Sequence, residues 1–198
     1  IAGFTLTTMS IGWPIASTLA GKLMVKVGFR PLALSGGVAL ILGAVLFVFL
    51  SVGFGPIWAG AASFIIGVGM GLTSTTFIVA IQSKVAWNMR GIATANNMFM
   101  RMLGNALGAA LLGGVLNNQL QRYFQSLNEP INSELSNDVL SVLVNESVTS
   151  KIPVETLHIL QNGLAFGLNR VYICLFIIAV ITFLFILLFP KKRDGVRM

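Results

Sequence analysis

The chain has 198 residues, of which 56% are hydrophobic and only 10% are charged, and its formal net charge is +7. Because a soluble domain carries about 25% charged residues, this composition excludes an ordinary soluble fold and predicts an integral membrane protein. The cations lie beside apolar runs and form no basic stripe with aromatic residues, so we expect membrane lipid, and no nucleic acid, as their partner.

Several kinds of chemistry are not expected from this sequence. The single cysteine, Cys174, lies in an apolar run, so neither a disulfide framework nor a metal-ligand spacing is predicted. No nucleotide-binding loop or catalytic triad is found, which indicates that the chain is not an enzyme and needs no cofactor. The chain begins at Ile1 without the features of a signal peptide, so we expect the carboxy-terminal piece of a longer protein.

Five apolar stretches are long enough to cross a membrane, since a hydrocarbon layer about 30 Å thick requires about 20 residues of helix. Trp13 and Pro14 interrupt the first stretch, and Pro14 predicts a kink there. The sequence therefore predicts an all-α integral membrane protein with five transmembrane helices. The predicted spans are residues 1–21, 32–50, 57–81, 92–116 and 164–189.

The long polar segment 117–163 holds five of the six acidic residues, which predicts an extramembrane loop. Apolar residues at helical spacing indicate two short helices in it, near 139–144 and 153–161, and hence a small hairpin.

The distribution of lysine and arginine predicts the orientation, because positively charged flanks stay on the cytoplasmic side. One side has nine cations and the other has three, so the loop after the first span and the carboxy terminus are predicted to be cytoplasmic. The nine are Lys22, Lys26, Arg30, Lys84, Arg90, Lys191, Lys192, Arg193 and Arg197; the three are Arg122, Lys151 and Arg170.

Residues 21–30, GKLMVKVGFR, resemble the cytoplasmic motif of major facilitator superfamily transporters, in which glycine, leucine and basic residues recur around an aspartate. The aspartate position is occupied by Val25, so the carboxylate of the family's charge relay is absent, as in the weaker second copy of the motif. The matching residues, which we interpret as a cytoplasmic gate, are Gly21, Leu23, Lys26, Gly28 and Arg30.

Residues 89–116 are similar to the penultimate helix of the drug:proton antiporter branch with fourteen spans. This resemblance implies that the chain forms the last five helices of a transporter whose missing amino-terminal half is its partner. It further implies two helical bundles with the substrate path between them. The matching residues are Arg90, Gly91, Arg101, Leu103, Gly104 and Gly108.

Arg101 is the residue of greatest functional interest, because it lies about 13 Å along the helix from Ile92, close to the bilayer midplane. Asn97, Arg101 and Asn105 recur every four residues and predict a polar face on the transport pathway. An arginine at this depth should face protein or a water-filled cavity and have a polar partner. Alternatively, Arg101 binds carbonyls of a neighbouring helix and only maintains packing.

Two pairs of glycines, Gly67 with Gly71 and Gly104 with Gly108, have the four-residue spacing of close helix packing. Near the first pair, several polar residues either line the path or bond the preceding helical turn. They are Thr73, Ser74, Thr75, Thr76 and Gln82.

The resemblance implies part of a multi-pass plasma-membrane transporter that exports small amphipathic drugs or toxic compounds in exchange for protons by alternating access. No predicted span contains an acidic residue, so the proton-coupling carboxylate is expected in the missing part. Two alternatives remain open: an exporter of one dedicated metabolite or antibiotic, and a non-transporting membrane anchor or assembly subunit.

Overall fold

The structure is a computed structural model that describes residues 2–50, 56–126 and 154–188, and the regular structure in these ranges is entirely helical. A short 3-10 turn, Trp87–Met89, precedes the fourth helix. The five helices are α1 (Ala2–Val27), α2 (Phe29–Val48), α3 (Pro56–Lys84), α4 (Arg90–Ser126) and α5 (Val154–Leu187).

Four of these helices, α2 to α5, are long and apolar enough to cross a membrane, whereas five spans were predicted. The helix that falls short is α1, which has the length but contains many threonine and serine residues together with Trp13 and Pro14. These residues lower its hydropathy without preventing helix formation. The all-α membrane fold is therefore confirmed, but the count of five spans is not.

Two helices continue well beyond the predicted spans. Helix α4 extends to Ser126, and α5 begins at Val154, so both ends of the predicted loop 117–163 are helical. The short helix predicted near 153–161 forms the first part of α5, and the one predicted near 139–144 lies outside the described residues. Propensity and packing between the two helix ends extend the helices where hydropathy alone predicted a loop.

The predicted spans leave residues 22–31 between the first two helices, whereas in the structure the only non-helical residue between α1 and α2 is Gly28. Gly28 has φ 86° and ψ 176°, a combination that is essentially restricted to glycine. Its N–H still donates to the carbonyl of Met24 at 3.0 Å, so α1 is helical up to this point. Pro31 fits the first turn of α2, where its missing N–H costs no hydrogen bond.

The chain divides into two compact units, one of Ile1–Asn105 with Leu175–Met198 and the other of Ala106–Cys174. In the first unit, α3 packs against both α1 and α2. Gly67 and Gly71 contact α1 at Met9 and Trp13, whereas Gly69 contacts α2 at Leu40. The contacts with α1 advance along both helices together, so α1 runs parallel to α3. On α2, Gly36 meets Thr73 and Gly43 meets Ile66, so α2 runs antiparallel to α3.

Hydrogen bonds and apolar contacts join the same three helices. The hydroxyl groups of Ser17 and Thr75 form a short hydrogen bond between α1 and α3. The indole N–H of Trp58 donates to the carbonyl of Leu46 at 3.1 Å, which joins α3 to α2. At the other end, Ala20, Met24 and Leu32 form a buried apolar cluster.

In the second unit, the end of α4 packs against the beginning of α5. Leu120, Phe124 and Leu160 form its buried apolar core. Gly163 lies against the ring of Tyr123, where an added Cβ would come within 2.9 Å, and this allows the two helices to approach closely.

Replacement of Gly28 by alanine is expected to destabilise the protein by about 1–3 kcal/mol, because alanine is strained at this backbone conformation. Gly21→Ala is the matched control, since Gly21 is helical and an added Cβ meets no atom within 4 Å. Thermal unfolding of the full-length protein in mild detergent would measure both. Equal melting temperatures for the two variants would contradict the assignment of Gly28 as an obligatory turn.

Gly71→Ala is expected to destabilise the protein by about 1–3 kcal/mol through overpacking. Its added Cβ would lie 2.6 Å from the carbonyl oxygen of Trp13 and 2.9 Å from Cβ of Ala16, so α1 must shift. The control is Gly113→Ala in α4, where no described atom lies within 4 Å. A Gly71→Ala protein that melts with or above the control would show that α1 and α3 do not depend on this approach.

Candidate functional site

The first unit contains a cavity of about 570 Å³ that α2, α3, α4 and α5 line together. This volume lies within the range of about 300–1,000 Å³ that is typical of small-molecule sites. The lining residues are Leu40, Ile66, Met70, Thr73, Ser74, Phe77, Ile78, Asn97, Met100, Arg101, Leu175, Ile178, Ala179 and Thr182.

The cavity walls are mainly apolar. Met70 and Met100 provide flexible, polarizable side chains, and Phe77 provides an aromatic face. Such surfaces adapt to apolar groups of different shapes because methionine has several rotatable bonds and no branch point. The cavity is therefore suited to the hydrophobic body of an amphipathic molecule.

Arg101 reaches this cavity from α4, and its side chain is exposed. Its guanidinium carbon lies 4.7 Å from the centroid of the Trp13 ring on α1, which is a cation–π contact. A contact of this kind stabilises by about 0.5–2 kcal/mol depending on desolvation. The expected partner of Arg101 was a polar group, whereas the partner that the structure gives it is an aromatic face.

Two polar groups of the lining are already bonded to their own helices. Thr73 donates to the carbonyl of Gly69 at 2.8 Å, and Thr182 donates to that of Ile178 at 2.8 Å. Among the described residues, by contrast, Ser74, Asn97 and Arg101 have no hydrogen-bond partner. These three side chains are the polar groups that remain available to a ligand.

Only part of the predicted polar face of α4 lines the cavity. Asn97 and Arg101 both line it, but Asn105 is not among the lining residues. Residues four apart on an α-helix differ by about 40° in direction, so two such steps turn Asn105 by about 80° from Asn97. An exact four-residue repeat thus spreads around the helix and does not form one narrow stripe.

The remaining polar residues singled out on α3 bond other groups. Thr76 donates to the carbonyl of Leu72 at 2.6 Å, and Thr75 pairs with Ser17. Gln82 donates to the hydroxyl of Thr94 at 2.9 Å and thereby joins α3 to the start of α4. The sequence could not distinguish Thr75 and Gln82 from Ser74, because the difference depends on which helix faces each one.

The residues of the predicted gate motif lie around the α1–α2 turn and not in the cavity. Gly21, Leu23 and Lys26 are exposed on the last turns of α1. Arg30 donates a long hydrogen bond of 3.5 Å to the carbonyl of Leu187, the last residue of α5. A cation is favourable there because the final carbonyls of a helix lack intrahelical donors and carry partial negative charge.

The two predicted glycine pairs have different surroundings. Gly67 and Gly71 lie against the α1 backbone, whereas Gly104 and Gly108 have no described atom within 4 Å of an added Cβ. Packing at the second pair stays a prediction.

Sequence reasoning missed two glycines of α2, which approach α3 closely at Thr73 and Ile66. They are Gly36 and Gly43, and their seven-residue spacing was the available signal.

Acidic side chains contribute nothing to the charge of this cavity in the part of the chain that the structure describes. The lining contains one formal charge, that of Arg101. Within residues 2–50, 56–126 and 154–188 there is also no group of three or more histidine, cysteine or acidic residues that could hold a metal ion.

Several known transporter proteins are similar in sequence to this chain. The chain is 30% identical over 116 residues to the multidrug transporter protein MdtP of Bacillus subtilis (strain 168), covering 59% of this chain and 21% of that protein. It is 26% identical over 198 residues to Multidrug resistance protein 3 of the same organism, which covers 97% of this chain and 39% of that protein. An uncharacterized MFS-type transporter of Mycobacterium tuberculosis is 26% identical to it over 192 residues, which covers 94% of this chain and 27% of that protein.

No protein-family profile matches the chain, and no solved structure is detectably similar to it. The chain spans less than half the length of the relatives described above. The resemblance predicted from the two motifs is confirmed by these relatives, which together cover nearly all of the sequence. Over most of its length this chain is therefore similar to part of the transporters of the major facilitator superfamily.

Proposed function

We propose that this chain forms part of a secondary active transporter that exports amphipathic drugs or toxic compounds in exchange for protons by alternating access. The observation that carries the proposal is the cavity, because it combines drug-sized volume and apolar walls with three uncommitted polar side chains. The names of two relatives, a multidrug transporter and a multidrug resistance protein, support the same substrate class.

In this proposal α1 is a fifth span, although its composition is less apolar than that of the other four. Its contacts with α3 extend from Met9 at Gly67 to Ser17 at Thr75, so the two helices run side by side over more than two turns. A helix that is joined in this way to a spanning helix can carry polar residues, because protein and not lipid surrounds one of its faces. The five helices would then be the last five of the carboxy-terminal bundle.

The missing amino-terminal half would provide the other wall of the path and the carboxylate that couples transport to protons. The charges present support this part of the proposal, since the described helices contain no acidic residue apart from Glu155 at the start of α5. Secondary transporters of this architecture bind substrate near the midplane, between two bundles that rock about it. The carboxy terminus of the chain is placed in the cytoplasm in this scheme.

The turn at Gly28 would act as the cytoplasmic hinge of the gate motif. One residue joins α1 to α2, and Arg30, two residues later, contacts the end of α5. Val25, at the aspartate position of the motif, is 90% exposed, and its aliphatic side chain can neither bind a proton nor form an ion pair. Any charge relay at this gate would therefore use residues outside the motif.

Leu175→Trp is expected to block export, because the larger side chain would occupy the cavity that Leu175 lines. Ile177→Trp is the matched control, since Ile177 is 51% exposed and does not line the cavity. Efflux of a fluorescent amphipathic dye from energised cells expressing the full-length protein would fall about tenfold or more for the first variant, as expected when a pocket is overfilled.

Efflux at the wild-type rate by Leu175→Trp protein, present in the membrane at the wild-type level, would contradict the proposed site. Collapse of the proton gradient should stop efflux by the wild-type protein, and efflux that persists would contradict proton coupling. A transport profile restricted to one compound would favour the dedicated exporter, and absence of any transport would favour the anchor.

A further inference from the structure

The charge of the cavity is unbalanced. Among the described residues that line it, Arg101 carries a positive charge and none carries a negative one. A cation at membrane depth is unfavourable by about 2.5–3.5 kcal/mol on insertion scales unless its surroundings compensate it. The contact with the Trp13 ring supplies part of that compensation but no opposite charge.

The hydrogen-bonding capacity of Arg101 is also unused. A guanidinium group has five N–H donors in a planar fork, and a ring stacked on one face leaves the edges of that fork accessible. No described residue accepts a hydrogen bond from Arg101. The fork matches the two oxygens of a carboxylate or the oxygens of a sulfonate, which accept such bonds in pairs.

Two neutral donors accompany the guanidinium group in the same lining. Asn97 lies one helical turn before Arg101 on α4, and Ser74 lies on α3. Both can donate to an anion through an amide N–H or a hydroxyl, and neither has a partner among the described residues. Apart from Thr73 and Thr182, the polar groups of the described lining are thus unsatisfied donors beside one positive charge.

We infer that this cavity selects amphipathic anions, in which a carboxylate or sulfonate bound by Arg101 is attached to an aromatic or branched aliphatic body. The body would lie against the apolar walls at Met70, Phe77 and Ile178. This inference rests on the proposed function and adds the charge of the substrate to it. A permanently cationic compound would have to place its charge beside Arg101, where no described acidic group balances it.

The test compares two probes with the same aromatic body, 8-anilinonaphthalene-1-sulfonate and the uncharged N-phenyl-1-naphthylamine. Their equilibrium binding to the full-length protein in lipid nanodiscs is measured by fluorescence, with empty nanodiscs as background. Arg101→Gln should weaken sulfonate binding about tenfold and change binding of the neutral amine by less than about twofold, because only the charged hydrogen bonds are lost. Arg101→Lys should retain part of the sulfonate affinity, since it keeps the charge but not the fork.

Arg170→Gln is the matched control. Arg170 is another exposed arginine that lies over an aromatic ring, 5.5 Å from the centroid of Phe166, but it does not line the cavity. Its removal should leave the binding of both probes unchanged. An equal loss of sulfonate binding in this variant would indicate a general effect of surface charge and would overturn the inference.

The inference also fails if the wild-type protein does not bind the sulfonate, or if Arg101→Gln binds it as tightly as the wild type does. These outcomes leave the proposed function separate, because export of the neutral amine tests it directly. If the wild type exports that amine and Leu175→Trp does not, the proposed transport function is supported even where the inference of anion selectivity is rejected. Conversely, Arg101-dependent sulfonate binding without any gradient-driven export would uphold the anion site and overturn the proposed function.

Discussion

Close contact of α1 and α2 with opposite faces of α3 is the constraint on which the rest of the described site depends. Lipid is as apolar as the helix surfaces, so association within a membrane relies on packing and not on the hydrophobic effect. Glycine allows that packing here, because the backbone of α1 lies close to Gly71 at Trp13 and the backbone of α2 lies close to Gly69 at Leu40. Because Gly71 fixes the backbone of Trp13, the same contact holds the indole ring in the place where Arg101 meets it.

Arg101 shows how a charge can be kept in an apolar region without an ion pair. The sequence allowed either a cavity or the carbonyls of a neighbouring helix as its surroundings. In the structure it lines a cavity, and its partner is the Trp13 ring. A cation–π contact is weaker than charged hydrogen bonds, so it stabilises Arg101 while leaving its donors free for exchange with a ligand. This combination favours a binding group over a purely structural one.

The sequence was sufficient for the membrane class, the four most apolar helices and the resemblance to a transporter family. Those features depend on composition, hydropathy and motifs, all of which are local. Hydropathy set the ends of the first two spans too far apart, at residues 22–31, because it indicates which residues can lie in lipid and not where a helix ends. The sequence also could not identify Trp13 as the partner of Arg101, since that pair depends on how α1 and α4 lie relative to each other, which no periodicity within one helix encodes.

The same packing constrains how the unit can move. Contacts between the α3 backbone and its neighbours at Gly67, Gly69 and Gly71 leave no room for side chains to slide past one another.

Helix α5 is joined to α2 by Gly37, which lies against Phe183 and Ile186, and by Arg30 at Leu187. Because α2 lines the cavity at Leu40 and α5 lines it at Ile178 and Thr182, a shift of α2 would reach the site both directly and through α5. Close-packed interfaces have low compressibility, so the arrangement favours motion of α1, α2, α3 and the end of α5 as one body. Arg101 is joined to this body through its contact with the Trp13 ring of α1.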